Sequence, residues 1–276
     1  MDNPLVTAEV FQLNSVSEGL RPGSISFKTV TLQSDKYVCV RDVQPDGQAS
    51  LVMVDLERRE STRNNIRDAE SAIMNPKSKI LALRSGRNLQ VFDVDAANRL
   101  KVCMFQEDMV HWCWIDDRTL GIVSNTAVYH WSLDGPADAQ PQQVFTRAPE
   151  MDQSVQILTY QADEQKKWLM LCGVARAPEG MVGKTQLYSV ENNSGRVLEG
   201  HAGTFISTNT PTESRMCNVM CLAWNNPSTG GKVLIMEVPT GTKTDITLQR
   251  RVVDVSLPPG DFPVAMSVSP RHKLLT

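Results

Sequence analysis

The chain has 276 residues and a formal net charge of −3, so its charge gives no indication of a nucleic-acid-binding surface. Hydrophobic residues make up 41% and charged residues 21%, which is typical of a soluble globular protein with a sizeable core. The first residues, MDNPLVTAEV, lack the basic and apolar regions of a secretory signal, and apolar runs such as WLMLCGVA are too short to span a bilayer.

Short strand-like runs follow one another along the chain, each rich in Val, Ile, Leu or aromatic residues and bounded by turn residues. In chain order they are ISFKTVTL, KYVCVRDV, SLVMVDL, KILALRSG, NLQVFDVD, KVCMF, HWCWID, TLGIVS, AVYHWSLDG, SVQILTYQ, KKWLMLCGVA, TQLYSVENN, NVMCLAW, KVLIMEV and VVDVSL. The charged segments DLERRESTRNN and DEQKKW are interpreted as loops, and no segment has a convincing amphipathic helical pattern. The sequence therefore predicts an all-β fold.

A repeat accompanies these strands, because several of them end in an apolar run followed by a polar turn. The marker residues of the repeat are spaced by 38, 39, 57 and 48 positions and are Val54, Phe92, Trp131, Tyr188 and Met236. About 40 to 50 residues per four-stranded unit is the period of a β-propeller, so we expect an incomplete propeller of about five to six blades. The final SPRHKLLT resembles the middle of a strand, which predicts that the chain is a piece of a longer protein.

The run NLQVFDVD alternates in a way that raises a question about function. Leu89 and Val91 fall on one face of the predicted strand, and Gln90 and Phe92 fall on the other. Either Phe92 packs beneath a neighbouring sheet or a ligand binds beside it. Taken alone, packing is the commoner role of such an aromatic residue.

No cofactor, metal or catalytic motif is expected from the remaining residues. Six cysteines lie mostly inside apolar runs, which favours free buried thiols in a reducing compartment. Cys217 and Cys221 come nearest to a metal-ligand spacing, but strand alternation makes packing the better interpretation. GMVGKT at 180–185 resembles the end of a phosphate-binding loop, yet strand-like QLYSVE follows where a helix is needed, so we expect a hairpin turn.

Several motifs together resemble the N-terminal domain of the clathrin heavy chain family, in order, from about residue 25 to 270: SDKYVCVR, SAIMNP, AVYHWS, QKKWLMLCGV, EGHAGTF and DFPVAM. The resemblance implies that residues 1–276 form an incomplete propeller, seven-bladed in the family, with the remaining blades, the linker and the α-solenoid legs outside this chain. It implies a coat protein rather than an enzyme.

The resemblance also implies the partners and the place of action. The propeller of this family binds short extended peptides of adaptor and accessory proteins, so it meets the membrane only through adaptors, on the cytoplasmic face of coated pits and vesicles at the plasma membrane and trans-Golgi network. The clathrin light chain and other heavy chains of the trimer would bind through regions outside this chain. No nucleic acid is expected as a partner.

Three peptide sites are implied in the same way. The first, for the apolar and acidic clathrin-box peptide, lies between blades one and two and comprises Leu81, Asn88, Gln90, Phe92 and Arg99. The second, for a tryptophan-containing W-box peptide, lies at the propeller centre and comprises Phe27, Gln156, Leu158 and Val174. The third lies between blades four and five and comprises Trp168, Leu187, Asn192, Arg196 and Leu198. In the first site Gln90 would bond the peptide backbone and Phe92 would form the wall of a pocket for a peptide leucine.

The sequence departs from the family at several of these positions. Where the family commonly has two lysines after the aromatic residue, this chain has Ala97 and Arg99, so one cation for the acidic end of the peptide is lost. An exposed charge contact is worth about 0.2 to 1 kcal/mol, so the groove is expected to be retuned rather than abolished. Arg63 or Arg67 is a candidate replacement. In the third site Asn192 and Arg196 depart from the family.

The alternative is a generic scaffold propeller of the WD type, or a propeller enzyme. An enzyme should place titratable side chains in the central channel, and this sequence supplies four histidines and no candidate nucleophile and base pair. Continuation of the chain into helical hairpin repeats of about 30 residues would favour the coat protein.

Overall fold

The computed structural model of this protein consists almost entirely of β-strands and short turns. It describes residues 9, 11–13, 20–66, 68–178, 180–209, 216–226, 228–238, 250–258, 260–269 and 274–276. Two short 3₁₀ helices, Pro22–Ser24 and Pro149–Met151, accompany the strands. No helix within these ranges is long and apolar enough to cross a membrane.

The described strands form five four-stranded sheets, and in each sheet every strand hydrogen bonds to the next one in the chain. Sheet 1 comprises β1 (Val30–Thr31), β2 (Tyr37–Val43), β3 (Ala49–Asp55) and β4 (Glu60–Asn65). Sheet 2 comprises β5 (Ser71–Met74), β6 (Ile80–Ser85), β7 (Asn88–Asp93) and β8 (Asn98–Met104). Sheet 3 comprises β9 (Met109–Trp114), β10 (Thr119–Ser124), β11 (Ala127–Ser132) and β12 (Gln142–Thr146).

The remaining strands continue the same pattern. Sheet 4 comprises β13 (Gln156–Ala162), β14 (Trp168–Ala177), β15 (Gly180–Ser189) and β16 (Ser194–Glu199). Sheet 5 comprises β17 (Ala202–Asn209), β18 (Met216–Asn226), β19 (Gly230–Val238) and β20 (Arg250–Val255). A two-stranded sheet, β21 (Val268–Ser269) with β22 (Leu274–Leu275), follows. Consecutive four-stranded meanders of this kind fit an incomplete β-propeller, and the prediction of an all-β propeller fold is confirmed.

The sequence repeat corresponds to one position in these sheets. All five marker residues lie in the third strand of a sheet: Val54 in β3, Phe92 in β7, Trp131 in β11, Tyr188 in β15 and Met236 in β19. Each repeat is therefore one sheet, and the unequal spacings reflect connections of different length.

The chain divides into two compact units, each with its own core. Unit 1 contains sheets 1 and 2 with residues 116–120 and 131–141, and unit 2 contains the rest of sheet 3 with sheets 4 and 5. In unit 1, apolar residues of the facing sheets 1 and 2 form one buried cluster, which includes Cys39, Leu51, Met53, Met74 and Leu81. Burying such side chains supplies the main stabilisation of the folded state.

Among the described residues of unit 2, two apolar clusters join neighbouring sheets. The first joins sheets 3 and 4 and includes Val128, Phe145, Tyr160, Leu171 and Tyr188, with the rings of Phe145 and Tyr188 stacked at 4.6 Å between centroids. The second lies between sheets 4 and 5 and includes Met170, Leu187, Met220, Leu222 and Leu234.

The outer strands were the main error of the sequence prediction. The segment DLERRESTRNN was predicted to be a loop, yet Glu60–Asn65 forms β4, all six residues of which are exposed. The run QQVFT in β12 and the run SGRVLE in β16 are also largely exposed and lack an alternating pattern. A strand that packs on one neighbour only, at the edge of its sheet, needs few apolar residues and therefore gives little periodic signal.

Two shorter predictions were also wrong. ISFKTVTL is not one strand, because Ser26 to Thr29 form a hydrogen-bonded turn and only Val30–Thr31 pair with β2. GMVGKT is not a hairpin turn but the start of β15. A Cβ atom at Gly183 would lie 2.4 Å from the backbone nitrogen of His201, so this glycine allows close packing rather than phosphate binding.

The alternation of buried and half-buried residues along β7 can be tested by measuring the stability of two variants. Leu89 is fully buried, so Leu89→Ala should lower the free energy of unfolding by about 2–5 kcal/mol. Gln90 is half-buried and polar, so Gln90→Ala should change it by less than about 0.5 kcal/mol. Chemical denaturation of the two variants measures both values, and similar losses in the two would contradict the assigned faces.

Candidate functional site

The first candidate site is built on β7, where the alternation is as predicted. Leu89 and Val91 are fully buried, and Gln90 and Phe92 lie half-buried on the opposite face. Phe92 is paired with Leu81 on β6, and Leu81 belongs to the cluster between sheets 1 and 2. Phe92 therefore lies at the margin of the packed region with part of its ring accessible.

A pocket of about 180 Å³ lies beside Gln90. Its walls come from the segment that follows β4, from β6 and from β7, and the lining residues are Ile66, Asp68, Ala69, Leu83, Arg84, Ser85, Asn88 and Gln90. Two of the predicted site residues, Asn88 and Gln90, are therefore together in one cavity. The contribution of Ile66, Asp68 and Ala69 was missed, because the sequence of this segment carries no recognisable pattern.

Strand pairing places the other predicted residues of this site nearby. Phe92 lies opposite Leu81 on one side and opposite Arg99 on the other, next to a β-bulge in β8. Arg99 is exposed, and no ion pair joins it to any residue that the structure describes. Ala97 is exposed in the turn between β7 and β8 with a φ angle of 49°. All five predicted residues of the site thus lie on β6, β7 and β8 of one sheet.

Arg63, one candidate for the missing cation, forms hydrogen bonds within sheet 1. Its Nη1 atom lies 2.7 Å from Oδ2 of Asp42, a fully buried carboxylate, and 2.5 Å from Oγ of Ser50. The guanidinium is therefore engaged within sheet 1. Arg67 lies outside the described residues.

Gln186 shows how a glutamine at this repeat position can act. It precedes Tyr188 in β15 as Gln90 precedes Phe92 in β7. The Gln186 side chain accepts a hydrogen bond from the backbone N–H of Ala148 at 2.9 Å and donates one to the backbone carbonyl of Thr146 at 3.1 Å. It therefore binds an extended segment of its own chain at two backbone groups two residues apart.

Gln90 differs from Gln186 in its surroundings. The Gln186 side chain is buried, whereas Gln90 is half-buried at a pocket. Among the residues that the structure describes, none forms a hydrogen bond with the Gln90 side-chain amide. Gln90 thus brings the same pair of groups, one acceptor and one donor, to the wall of the pocket.

The residues of the predicted central site are divided between the two units. Phe27, in unit 1, is fully exposed on the turn that precedes β1. In unit 2, Gln156 is exposed at the start of β13 and pairs with Val174, which is buried in β14. Leu158 is the extra residue of a bulge between Ile157 and Thr159 and is half-buried.

The predicted third site lies on one face of sheet 4. Trp168 and Leu198 are half-buried and Leu187 is buried, all against the cluster shared with sheet 5. Arg196 is exposed opposite Leu187, and Asn192 is in the following turn, where its side chain donates to Oγ of Ser189 at 3.1 Å. The structure thus brings four of the five residues to one face and places Asn192 in the β15–β16 turn.

Asp163 supports this third site and was missed by the sequence analysis. It is buried, and its Oδ1 accepts a hydrogen bond from the backbone N–H of Trp168 at 2.7 Å. Its Oδ2 accepts from Nδ2 of Asn218 in sheet 5, also at 2.7 Å. Its position in the charged segment DEQKKW gave no indication of burial, since such segments usually lie in solvent.

Comparison with known proteins supports the family resemblance that the sequence motifs indicate. No family model matches the chain. The human protein clathrin heavy chain 2 is 36% identical over 275 residues, which cover 99% of this chain. The clathrin heavy chain of Drosophila melanogaster is 36% identical over 272 residues, which cover 98% of this chain.

The chain is a relative of the clathrin heavy chains. It spans 16% of the length of each of these two relatives, and both are named as clathrin heavy chains rather than as enzymes. The fold is also similar to a solved extracellular domain of a hybrid two-component system from B. thetaiotaomicron, with a TM-score of 0.52 and 7% identity over 97% of this chain and 32% of that one. That likeness concerns the fold alone.

The free energy of unfolding of this chain should depend on pH through the carboxyl group of Asp42. Burial raises the pKa of Asp42, but hydrogen bonds from Ser24 and Arg63 outweigh burial and lower it overall. Because the folded pKa lies below the unfolded value of about 3.9, Asp42 stabilises the fold above that pH, and this contribution is lost as pH falls through the folded pKa.

The measurement is urea denaturation of the wild type and Asp42→Asn between about pH 2 and 7. The difference in unfolding free energy should be largest above about pH 5 and should shrink toward the acid end. A difference that stays constant with pH would contradict the assignment.

Proposed function

We propose that this chain is the peptide-binding propeller of a clathrin coat protein. In this role it binds short extended peptides of adaptor and accessory proteins and links cargo adaptors to the clathrin cage during endocytosis and intracellular vesicle transport. It acts by binding and not by catalysis. It works on the cytoplasmic face of coated pits and coated vesicles, and meets light chains and other heavy chains through regions outside this chain.

The observation that carries the proposal is the state of Gln90. A glutamine at the same repeat position, Gln186, holds two backbone groups of an extended segment, while the Gln90 amide faces a pocket. A clathrin-box peptide would supply the backbone groups that Gln90 bonds. Peptide recognition of this kind combines backbone hydrogen bonds, which anchor the ligand, with apolar pockets, which select its side chains.

Phe92 and Arg99 supply the remaining features of this proposed site. The half-buried ring of Phe92, next to buried Leu81, offers an apolar wall for a peptide leucine. Arg99, opposite Phe92, places one positive charge where an acidic peptide end would lie. Short disordered peptides bind weakly one at a time, so a coat that presents many copies gains strength by multivalency.

The two other peptide sites are part of the same proposal. The central site, with Phe27, takes the tryptophan-containing W-box peptide, and the groove beside Trp168 takes a further apolar peptide. Residues 1–276 constitute most of the N-terminal propeller of a longer heavy chain in this proposal.

The first test is fluorescence anisotropy with a labelled clathrin-box peptide. Gln90→Ala should weaken binding by at least about fivefold, because two backbone hydrogen bonds are lost. Phe92→Ala should weaken it by about tenfold or more, because the apolar wall is removed. Two controls should bind the peptide as the wild type does: Gln143→Ala, an exposed strand glutamine of unit 2, and Phe27→Ala.

Either of two results would count against this site. One is binding that both variants retain. The other is capture of the tryptophan-containing peptide without any binding of the clathrin-box peptide, which would move recruitment to the central site and make Phe92 a packing residue.

The loss of one cation gives a gain-of-function test. Ala97→Lys should strengthen clathrin-box binding by about 1.4- to 5-fold, corresponding to about 0.2 to 1 kcal/mol for an exposed charge pair. The effect should decrease as salt is raised, because exposed charges are screened. Ala97→Gln, which adds a side chain without charge, is the matched control, and an equal gain in that variant would exclude an electrostatic cause.

A further inference from the structure

Phe27 is an unusual residue because it is fully exposed on a turn that is closed by hydrogen bonds. Its relative exposure is 104%, and the neighbouring Ile25 is also exposed. The turn is closed by backbone hydrogen bonds from Thr29 and Val30 to the carbonyl of Ser26, at 3.1 and 2.9 Å. An exposed aromatic side chain on a hydrogen-bonded turn is suited to an interface, since aromatic residues are enriched at interfaces.

The turn is fastened at both ends. On the N-terminal side, Oγ1 of Thr29 donates a hydrogen bond to the carbonyl of Ser24 at 2.6 Å and accepts one from the N–H of Ser26 at 3.1 Å. On the C-terminal side, the N–H of Arg41 in β2 donates to the carbonyl of Thr29 at 2.8 Å. The position of Phe27 therefore depends on where Ser24 and Thr29 are held.

Ser24 is held by Asp42, which has no exposed surface. Oδ1 of Asp42 accepts hydrogen bonds from Oγ of Ser24 and from the Arg21 guanidinium, the latter at 3.4 Å. Oδ2 accepts from Arg63 at 2.7 Å and from Nε2 of Gln44 at 2.8 Å. Both carboxylate oxygens are thus used, one for the Phe27 segment and one for sheet 1.

We propose that Asp42 is a positioning residue that fixes the Phe27 turn on sheet 1 and thereby sets the affinity of the Phe27 site for the tryptophan-containing peptide. The peptide part of this inference rests on the proposed function of Phe27. The carboxylate can do this because it has two acceptor oxygens that face opposite groups of donors. An asparagine has one acceptor oxygen and no charge, so in either orientation its amide nitrogen faces Arg21 or Arg63, and that arginine loses its acceptor at this position. The remaining hydrogen bonds also lose the strength that a charged acceptor gives them.

The Asp42 network is separate from the pocket beside Gln90. Neither Asp42 nor Arg63 is among the residues that line this pocket. Asp42→Asn should therefore act on the Phe27 site and leave the Gln90 site nearly unchanged.

The test compares Asp42→Asn with Asp46→Asn in the full chain. Asp46 is an exposed aspartate of the β2–β3 turn, four residues away, whose carboxylate accepts from the N–H of Gln48 at 2.9 Å. The first readout is hydrogen exchange of residues 24–43 measured by mass spectrometry. In Asp42→Asn the exchange of Thr29, Val30 and Arg41 amides should rise by about tenfold or more, with no change in Asp46→Asn.

The second readout is anisotropy with two labelled peptides. Asp42→Asn should weaken binding of the tryptophan-containing peptide by at least about fivefold, and it should change the affinity for the clathrin-box peptide by less than about twofold. Phe27→Ala is measured beside it. If Asp42→Asn does not fold, Ser24→Ala removes one donor of the same network and should shift both readouts in the same direction by a smaller amount.

The outcomes separate the inference from the proposed function. Unchanged exchange at the three amides, or equal weakening of both peptides, would overturn the role of Asp42. Faster exchange with full retention of the tryptophan-containing peptide would overturn its effect on affinity. Undiminished binding by Phe27→Ala would overturn the proposed central site instead, and the exchange data alone would then decide whether Asp42 holds the turn.

Discussion

Packing of one sheet face on the next is the constraint on which each unit depends. In unit 1 the cluster between sheets 1 and 2 includes Leu51 and Leu81, and in unit 2 a similar cluster joins sheets 4 and 5. Because side chains alternate along a strand, this packing also fixes which residues of β7 are left at the margin. A register shift of one residue would bury Gln90 and expose Leu89. The arrangement of the candidate groove thus depends on the packing of the core beside it.

The third strands of sheets 2 and 4 each carry a glutamine at the same position of the repeat, and the two glutamines have different surroundings. In sheet 4, Gln186 is buried and holds the backbone at Thr146 and Ala148, which fixes the connection that leads from sheet 3 into β13. In sheet 2, Gln90 occupies the same position in the repeat but lies at a pocket. A buried amide must have its hydrogen bonds satisfied, so Gln186 has a structural role, whereas an amide at the margin is available to a ligand. The two glutamines differ in what lies beside them: the backbone of Thr146 and Ala148 binds Gln186, whereas Gln90 lines a pocket together with Ile66, Asp68 and Ala69.

Two buried carboxylates form hydrogen bonds with the segments that carry residues of two candidate sites. Asp42 joins the Phe27 segment to sheet 1, and Asp163 joins Trp168 to Asn218 across sheets 4 and 5. Each uses both oxygens, one toward each of two separate segments. A carboxylate is well suited to this purpose, since charged acceptors form stronger hydrogen bonds than neutral ones. In the proposed sites both groups would act by holding the segments that carry Phe27 and Trp168.

The sequence by itself determined the all-β class, the repeat and the two faces of β7, because alternation of buried and polar residues is a local property. Its motifs also indicated the clathrin heavy chain family, which the comparisons support. Only the tertiary structure decided that exposed Glu60–Asn65 is a strand, since an outer strand is specified by hydrogen bonds to its neighbour rather than by its own side chains. Tertiary structure also decided that Arg63 binds Asp42, because residues 21 positions apart are brought together by sheet pairing and not by any local pattern.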